Sequence, residues 1–120
     1  MSRDRQRLAD YLAHIKEAIE RIDLYTARLD EAGFLVNPLI QDAVIRNLEV
    51  IGEASHNIER HHADYASAHT ELPLAHAYQM RNAVAHGYFK VDLNIVWTTI
   101  RRDLPDLHRR IQAALTDLTH

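Results

Sequence analysis

Three glycines and three prolines in 120 residues leave the chain few places to break a helix or make a tight turn, so long helices joined by few connections are what it can most readily form. A first helix is predicted from about Arg3 to Ala32. Leu8, Tyr11, Leu12, Ile15, Ile19, Ile22, Tyr25 and Leu29 line its apolar face, and Gly33 reads as its C-terminal cap. Asn37-Pro38 supplies an N-cap and a proline at the first helical position, opening a second helix from about Pro38 to His61 with Ile40, Val44, Leu48, Ile51 and Ile58 on one stripe. Gly52 inside that helix costs about 1 kcal/mol relative to alanine unless a neighbouring helix needs the missing side chain; close packing is expected there.

His62 to Leu72 shows no clear period and reads as a loop. Pro73 opens a third helix carrying Leu74, Ala77, Tyr78 and Val84, with Gly87 as its stop. Asp92 or Asn94 can cap a fourth, running through Ile95, Val96, Trp97, Ile100, Leu104, Leu107, Ile111 and Leu118. Pro105 lacks a donor and clashes with the carbonyl four residues back, so it should kink or split this helix. With no strand pattern, the fold class expected is all-α: an up-and-down four-helix bundle with a kinked or split last helix, in a single domain over residues 1–120.

Hydrophobic residues at 47% and charged residues at 26% exclude a disordered or collagen-like chain. The absence of cysteine excludes disulfides and thiolate metal sites. The start, Met1 to Arg7, is basic but leads into Leu8-Ala9-Asp10 and does not read as a signal peptide. No apolar run reaches the roughly 18 residues that span a bilayer, so a cytoplasmic protein without a membrane partner is expected. The net charge of −3 is mildly unfavourable for binding nucleic acid. Its distribution matters more, because residues 81 to 110 hold six bases against three acids and form the basic quarter of the chain.

Arg81 and His86 are the pair with chemistry to offer. Five residues along a helix amount to about 140° of rotation and about 7.5 Å of rise, so the two do not share a helix face. Either His86 lies where the helix unwinds toward Gly87, or the pair converges with copies from another subunit; both routes place a site at an edge. A neutral histidine can take the proton of a ribose 2'-hydroxyl while a guanidinium binds the phosphate as charge builds, a scheme for RNA cleavage that uses no metal or cofactor. Asn82 can add a hydrogen bond to the scissile phosphate, and Tyr88 presents a phenol two residues past the histidine. Spacing alone also suits plain structural roles, with Arg81 at a helix end and His86 on a carbonyl.

Arg81-Asn82 followed by His86-Gly87-Tyr88-Phe89 resembles the Arg-x4-His-x-Tyr signature of the HepT branch of the HEPN superfamily. Asp42 to Ala54 is similar to that family's second helix, and Val91-Asp92, Val96-Trp97 and Leu104-Pro105 to its fourth, so nearly the whole chain is covered. Leu72 to His76 lacks a tryptophan found in many members. The resemblance implies the toxin of a toxin–antitoxin pair: a metal-independent endoribonuclease acting on an RNA such as tRNA or mRNA, a homodimer whose cleft gathers Arg81 and His86 from both subunits. It further implies an MntA-like minimal nucleotidyltransferase antitoxin that silences the toxin by AMPylation, transferring AMP to Tyr88. The alternative is a non-catalytic HEPN bundle that serves as a binding partner of a nucleotidyltransferase.

Other residues have simpler readings. His56, His61, His62, His69 and His76 invite a metal, but structural zinc needs about four converging ligands, and solvated histidines are expected instead. Glu49 and Glu53 share a face near Arg46, which suggests an ion-pair network, with Arg46 and Glu53 supporting the site. Lys16–Glu20 and Glu17–Arg21 are spaced to solvate the first helix. Arg101-Arg102 and Arg109-Arg110 lie two turns apart and suit a basic stripe facing RNA, an acidic partner or solvent. Trp97 reads as a core anchor.

Overall fold

The apolar stripes meet in one continuous core: Leu8, Leu12, Ile15, Ile19 and Ile22 from the first helix, Val44, Leu48, Ile51 and Ile58 from the second, and Val96, Ile100, Leu104, Leu107 and Ile111 from the C-terminal third. The computed structural model describes residues 3–85 and 92–119. Its elements are α1 (Arg3–Thr26), α2 (Glu31–Leu35), α3 (Pro38–His61), α4 (Ala63–Ala68), α5 (Leu74–Ala85), α6 (Leu93–Arg102) and α7 (Leu104–Thr119), with no strand among the described residues. The fold is all-α and up-and-down, as its sequence predicts. No helix among these residues is long and apolar enough to cross a membrane.

Side-chain pairs fix how the helices run. Arg21 Nε donates to Asn47 Oδ1 at 2.9 Å near one end of the α1–α3 contact, and the Tyr11 ring meets His62 edge-on at 6.0 Å near the other, so α1 and α3 are antiparallel. His108 with Glu20 at 2.9 Å and Arg5 Nε with the Leu118 carbonyl at 3.2 Å set α7 antiparallel to α1. Helix α5 lies antiparallel on the other side of α3, where His56 stacks on Tyr78 at 4.0 Å between ring centres. The order across the bundle is thus α5, α3, α1, α7. Phe34 of α2 is fully buried and packs on Trp97 of α6 at 5.3 Å, closing one end of the core with the anchor role expected of Trp97.

Helix α3 occupies the predicted span, and Asn37 Oδ1 accepts from Ile40 N at 3.1 Å as its cap. Three expectations need correction. The first helix stops at Thr26, whose hydroxyl donates to the Ile22 carbonyl at 2.8 Å. Asp30 then caps α2 by accepting from Gly33 N at 2.8 Å, so Gly33 lies inside a short helix and caps nothing. The apolar spacing hid this break because Leu29, past the helix end, still packs against the core. The stretch read as a loop contains α4, an alanine-rich turn whose Tyr65 and Ala66 pack on the core. The last helix does split, but at Asp103; Pro105 sits in the first turn of α7, where its missing N–H is an orphan in any case. Asp92 is the cap of α6, accepting from Asn94 N and Ile95 N.

Candidate active site

Arg81 stands on α5 directly opposite Gly52 of α3. A Cβ at residue 52 would fall 2.0 Å from Arg81 Cβ, 2.7 Å from its Cγ and 3.3 Å from the Ala77 carbonyl oxygen. Only a residue without a side chain lets the two helices close at this point, which is the physical reason for a glycine in mid-helix. The Arg81 stem therefore lies flat against α3, and its head is held at both ends. Nη2 pairs with Glu53 Oε1 at 3.1 Å, and Nη1 donates to Asn82 Oδ1 at 3.1 Å. Nε is buried without a partner among the described residues. The side chain keeps 27% of its surface exposed and that of Glu53 keeps 52%, so a ligand can reach the guanidinium from solvent.

The arginine borders a groove of about 410 Å³ walled by Tyr11 and His14 of α1 and by Arg46, Glu49, Glu53 and Asn57 of α3. Arg46, Glu53 and Arg81, singled out separately in the sequence, thus line one depression. The expected ion-pair network does not form as drawn. Glu53 takes Arg81 as its partner, and Arg46 is exposed with no ion pair among the described residues. Asn82 spends its carbonyl oxygen on Arg81, leaving its amide nitrogen as the atom suited to a phosphate. Helix α5 runs to Ala85; His86, Gly87 and Tyr88 lie outside the described residues.

Tyr11, His14 and Asn57 were not picked out by sequence reasoning. Tyr11 reads as one more member of the α1 core stripe; the available signal was His14, three residues on and therefore on the same face. His14 meets Tyr11 edge-on at 6.5 Å between ring centres.

The four arginines that read as a basic stripe, facing RNA, an acidic partner or solvent, divide in the structure. Arg101 donates to the Thr26 and Leu29 carbonyls at 3.1 and 3.0 Å and lies over the Trp97 ring at 4.2 Å, capping the end of α1. Arg109 and Arg110 both engage Asp106, and Arg110 also donates to the Glu71 carbonyl. These arginines hold the Asp106 carboxyl below its usual range, the Arg110 hydrogen bond most of all. Arg102 meets Asp103 at 3.4 Å. Arg101 and Arg110 thus tie their helices to other segments, whereas Arg102 and Arg109 pair within their own stretch of chain and stay largely exposed.

The i,i+4 spacings on α1 divide likewise. Lys16 and Glu20 do pair, at 3.1 Å, whereas Arg21 turns to Asn47 on α3. The histidines disperse: His69 stacks on Tyr65, His76 faces Asp103 at 3.7 Å, and no three His, Asp or Glu among the described residues are grouped to hold a metal ion.

The all-α up-and-down bundle is the architecture of the HEPN class, and the comparisons place the chain in it. The family model described as Ribonuclease HepT-like matches residues 15–114. A "Probable ribonuclease HepT" of Thermococcus cleftensis is 41% identical over 103 residues, 86% of this chain and 91% of that protein. A "Putative RNase" of Caldanaerobacter subterraneus is 30% identical over 105 residues, 88% of this chain and 91% of that one. A "Gamma-glutamylcyclotransferase and putative RNase" of Methanocaldococcus jannaschii is 35% identical over 108 residues, 90% of this chain and 47% of that protein. No solved structure gives a significant match. The chain belongs to the HepT-like ribonuclease family.

Proposed function

We propose that this chain, folded as one domain, is a metal-independent endoribonuclease and the toxin of a toxin–antitoxin pair, acting on RNA in the cytoplasm. The observation that carries the reading is the guanidinium of Arg81, fixed by Glu53 and Asn82 at the rim of a groove in a chain of the HepT-like ribonuclease family. Arg81 is the phosphate-binding group. Its remaining N–H donors are available to the scissile phosphate, and a bound phosphate competes with Glu53 for the same cation. His86, which directly follows the last residue of α5, is the general base. It takes the proton from the ribose 2'-hydroxyl as the 2'-oxygen attacks phosphorus and the bond to the 5'-oxygen breaks, leaving a 2',3'-cyclic phosphate and a 5'-hydroxyl. Asn82 and Glu53 position Arg81, and Arg46 adds positive charge to the groove.

In this scheme a second subunit supplies the convergent partner: residues five apart on a regular helix would stand about 140° apart, and His86 follows the last residue of α5. The antitoxin is an MntA-like minimal nucleotidyltransferase, and AMP placed on Tyr88 sets a tethered phosphate beside Arg81 that excludes RNA.

The test is cleavage of total RNA in EDTA by the purified chain and by an Arg81→Ala, His86→Ala double variant. Cleavage by the first and not the second supports the reading, and equal cleavage by both overturns it. Co-purification with the nucleotidyltransferase and no cleavage by either selects a non-catalytic binding partner instead. For the modification, one adenylyl group is expected on the chain after incubation with antitoxin and ATP, and an adduct that persists in Tyr88→Phe moves it elsewhere.

A further inference from the structure

We propose that the groove between α1 and α3 seats one unpaired nucleotide of the RNA beside the phosphate held by Arg81, with Tyr11 and His14 as the wall for its base and Arg46 as the contact for the adjoining phosphate. The inference rests on the ribonuclease reading for the identity of the chain's substrate and on the groove itself for the rest.

Its volume, about 410 Å³, lies within the range of small-molecule sites, roughly 300–1,000 Å³. Tyr11 is half-buried and held from two sides, by His14 at 6.5 Å and 76° and by His62 at 6.0 Å and 68°. A ring already fixed in place loses little freedom when a base packs on it, and aromatic walls of this kind are how proteins take up unpaired bases. Arg46 and Glu53 are seven residues apart on α3, about 10 Å along the helix. With Arg81 fastened to Glu53, the two guanidinium groups bracket a stretch that one nucleotide with a phosphate on each side can bridge.

The charge pattern argues for a nucleotide over a bare anion. Two arginines and two glutamates line the groove, so it has no net excess of positive charge to hold free phosphate. The carboxylates and the Asn57 amide are instead acceptors suited to the exocyclic amino group of adenine, cytosine or guanine, which uracil lacks.

The test uses the full chain and two readouts. Steady-state cleavage of a short labelled RNA is compared among wild type, His14→Ala, Arg46→Ala, Tyr11→Ala and Tyr11→Phe. The Tyr11 and His14 ring signals are followed by NMR with 5'-AMP, adenosine and inorganic phosphate added in turn. KM is expected to rise about tenfold in Tyr11→Ala, the scale of one lost base stack, with kcat kept and with Tyr11→Phe restoring KM. His14→Ala and Arg46→Ala, both at exposed positions, show the same split should Tyr11→Ala fail to fold.

5'-AMP is expected to shift both ring signals, adenosine more weakly, and phosphate alone neither. Unchanged KM in all variants, or ring signals moved by phosphate as much as by 5'-AMP, overturns the proposal. So does a groove closed by a second copy, seen as a dimer that His14→Ala dissociates. A chain that cuts no RNA but binds 5'-AMP through Tyr11 and Arg46 retains the nucleotide seat and refutes the ribonuclease reading instead.

Discussion

Gly52→Ala tests the geometry on which the site depends. The added Cβ would lie 2.0 Å from Arg81 Cβ and 2.7 Å from Cγ. Non-bonded carbons rest at about 3.5–4.0 Å, so α3 and α5 must part by about 1.5 Å here. Neither atom in the closest contact is the far end of a flexible side chain; Cβ moves only with the α5 backbone. Overpacking of this kind costs about 1–3 kcal/mol, and this clash belongs at the upper end. Alanine returns about 1 kcal/mol through its helix propensity. A net loss of about 1–2 kcal/mol follows, a fall in Tm of roughly 3–8 °C for a chain this size.

The consequence for RNA cleavage is larger, because a displacement of about 1 Å in a reacting group can cost on the order of 100-fold in rate. Thermal unfolding by circular dichroism and kcat on a labelled RNA are the assays. Gly33→Ala is the control. Its Cβ meets the Asp30 Oδ1 and Leu29 Cδ2 side-chain atoms at 3.2 and 3.3 Å; these give way without backbone movement, and loosening the Asp30 cap, about 1 kcal/mol, is offset by the helix propensity of alanine, about 1 kcal/mol, so the net effect should stay within about 0.5 kcal/mol. In an Arg81→Gly background the penalty at residue 52 should shrink, since the clashing Cβ and Cγ are gone, giving a coupling of about 0.5–3 kcal/mol. A Gly52→Ala protein as stable as wild type, with unaltered cleavage, would refute the close approach of α3 and α5.

Three further outcomes are expected. Glu53→Ala frees the Arg81 head; the pair is half-exposed, so stability should fall by no more than about 1 kcal/mol, while kcat falls roughly tenfold or more, and unchanged cleavage would remove Glu53 from the site. Arg101→Lys keeps the charge but loses the planar face over Trp97 and the fork onto two carbonyls, which should cost about 1–2 kcal/mol in chemical denaturation. The hydrogen bond from His108, and then that from Lys16, holds the Glu20 carboxyl below its ordinary value of 4.5. Its contribution is therefore present above pH 4.5 and is lost as the pH falls through the lower folded-state value. Glu20→Gln should flatten that acid limb in a pH series of unfolding curves, and an unchanged limb would show that the contact carries no stability.

The helical class, the span of α3 and the break near Pro105 were legible because each rests on local chemistry: a cap, a missing donor, an apolar stripe of one period. The end of α1 was not, because Leu29 keeps the helical spacing while already belonging to a turn, and a stripe records burial without recording backbone conformation. Gly52 announced a close approach but not its partner, since which residue faces it depends on how α5 lies across α3. Charge was the least legible feature. Arg101 and Arg110 look like an open basic stripe in one dimension, yet in three they bind carbonyls at the ends of other segments. Tyr11 and His14 share a groove with Arg81 because α1 and α5 flank α3, a relation between residues seventy apart that no local pattern carries.

The central claim is that Arg81 and His86 cut RNA through its own 2'-oxygen. Its most direct test is the end chemistry of RNA cleaved by the full chain in EDTA, followed in parallel for Arg81→Ala and His86→Ala. The account predicts 2',3'-cyclic phosphate and 5'-hydroxyl ends from the wild type and loss of cleavage in each variant. Ends bearing a 5'-phosphate, or cyclic ends produced equally by both variants, would contradict it.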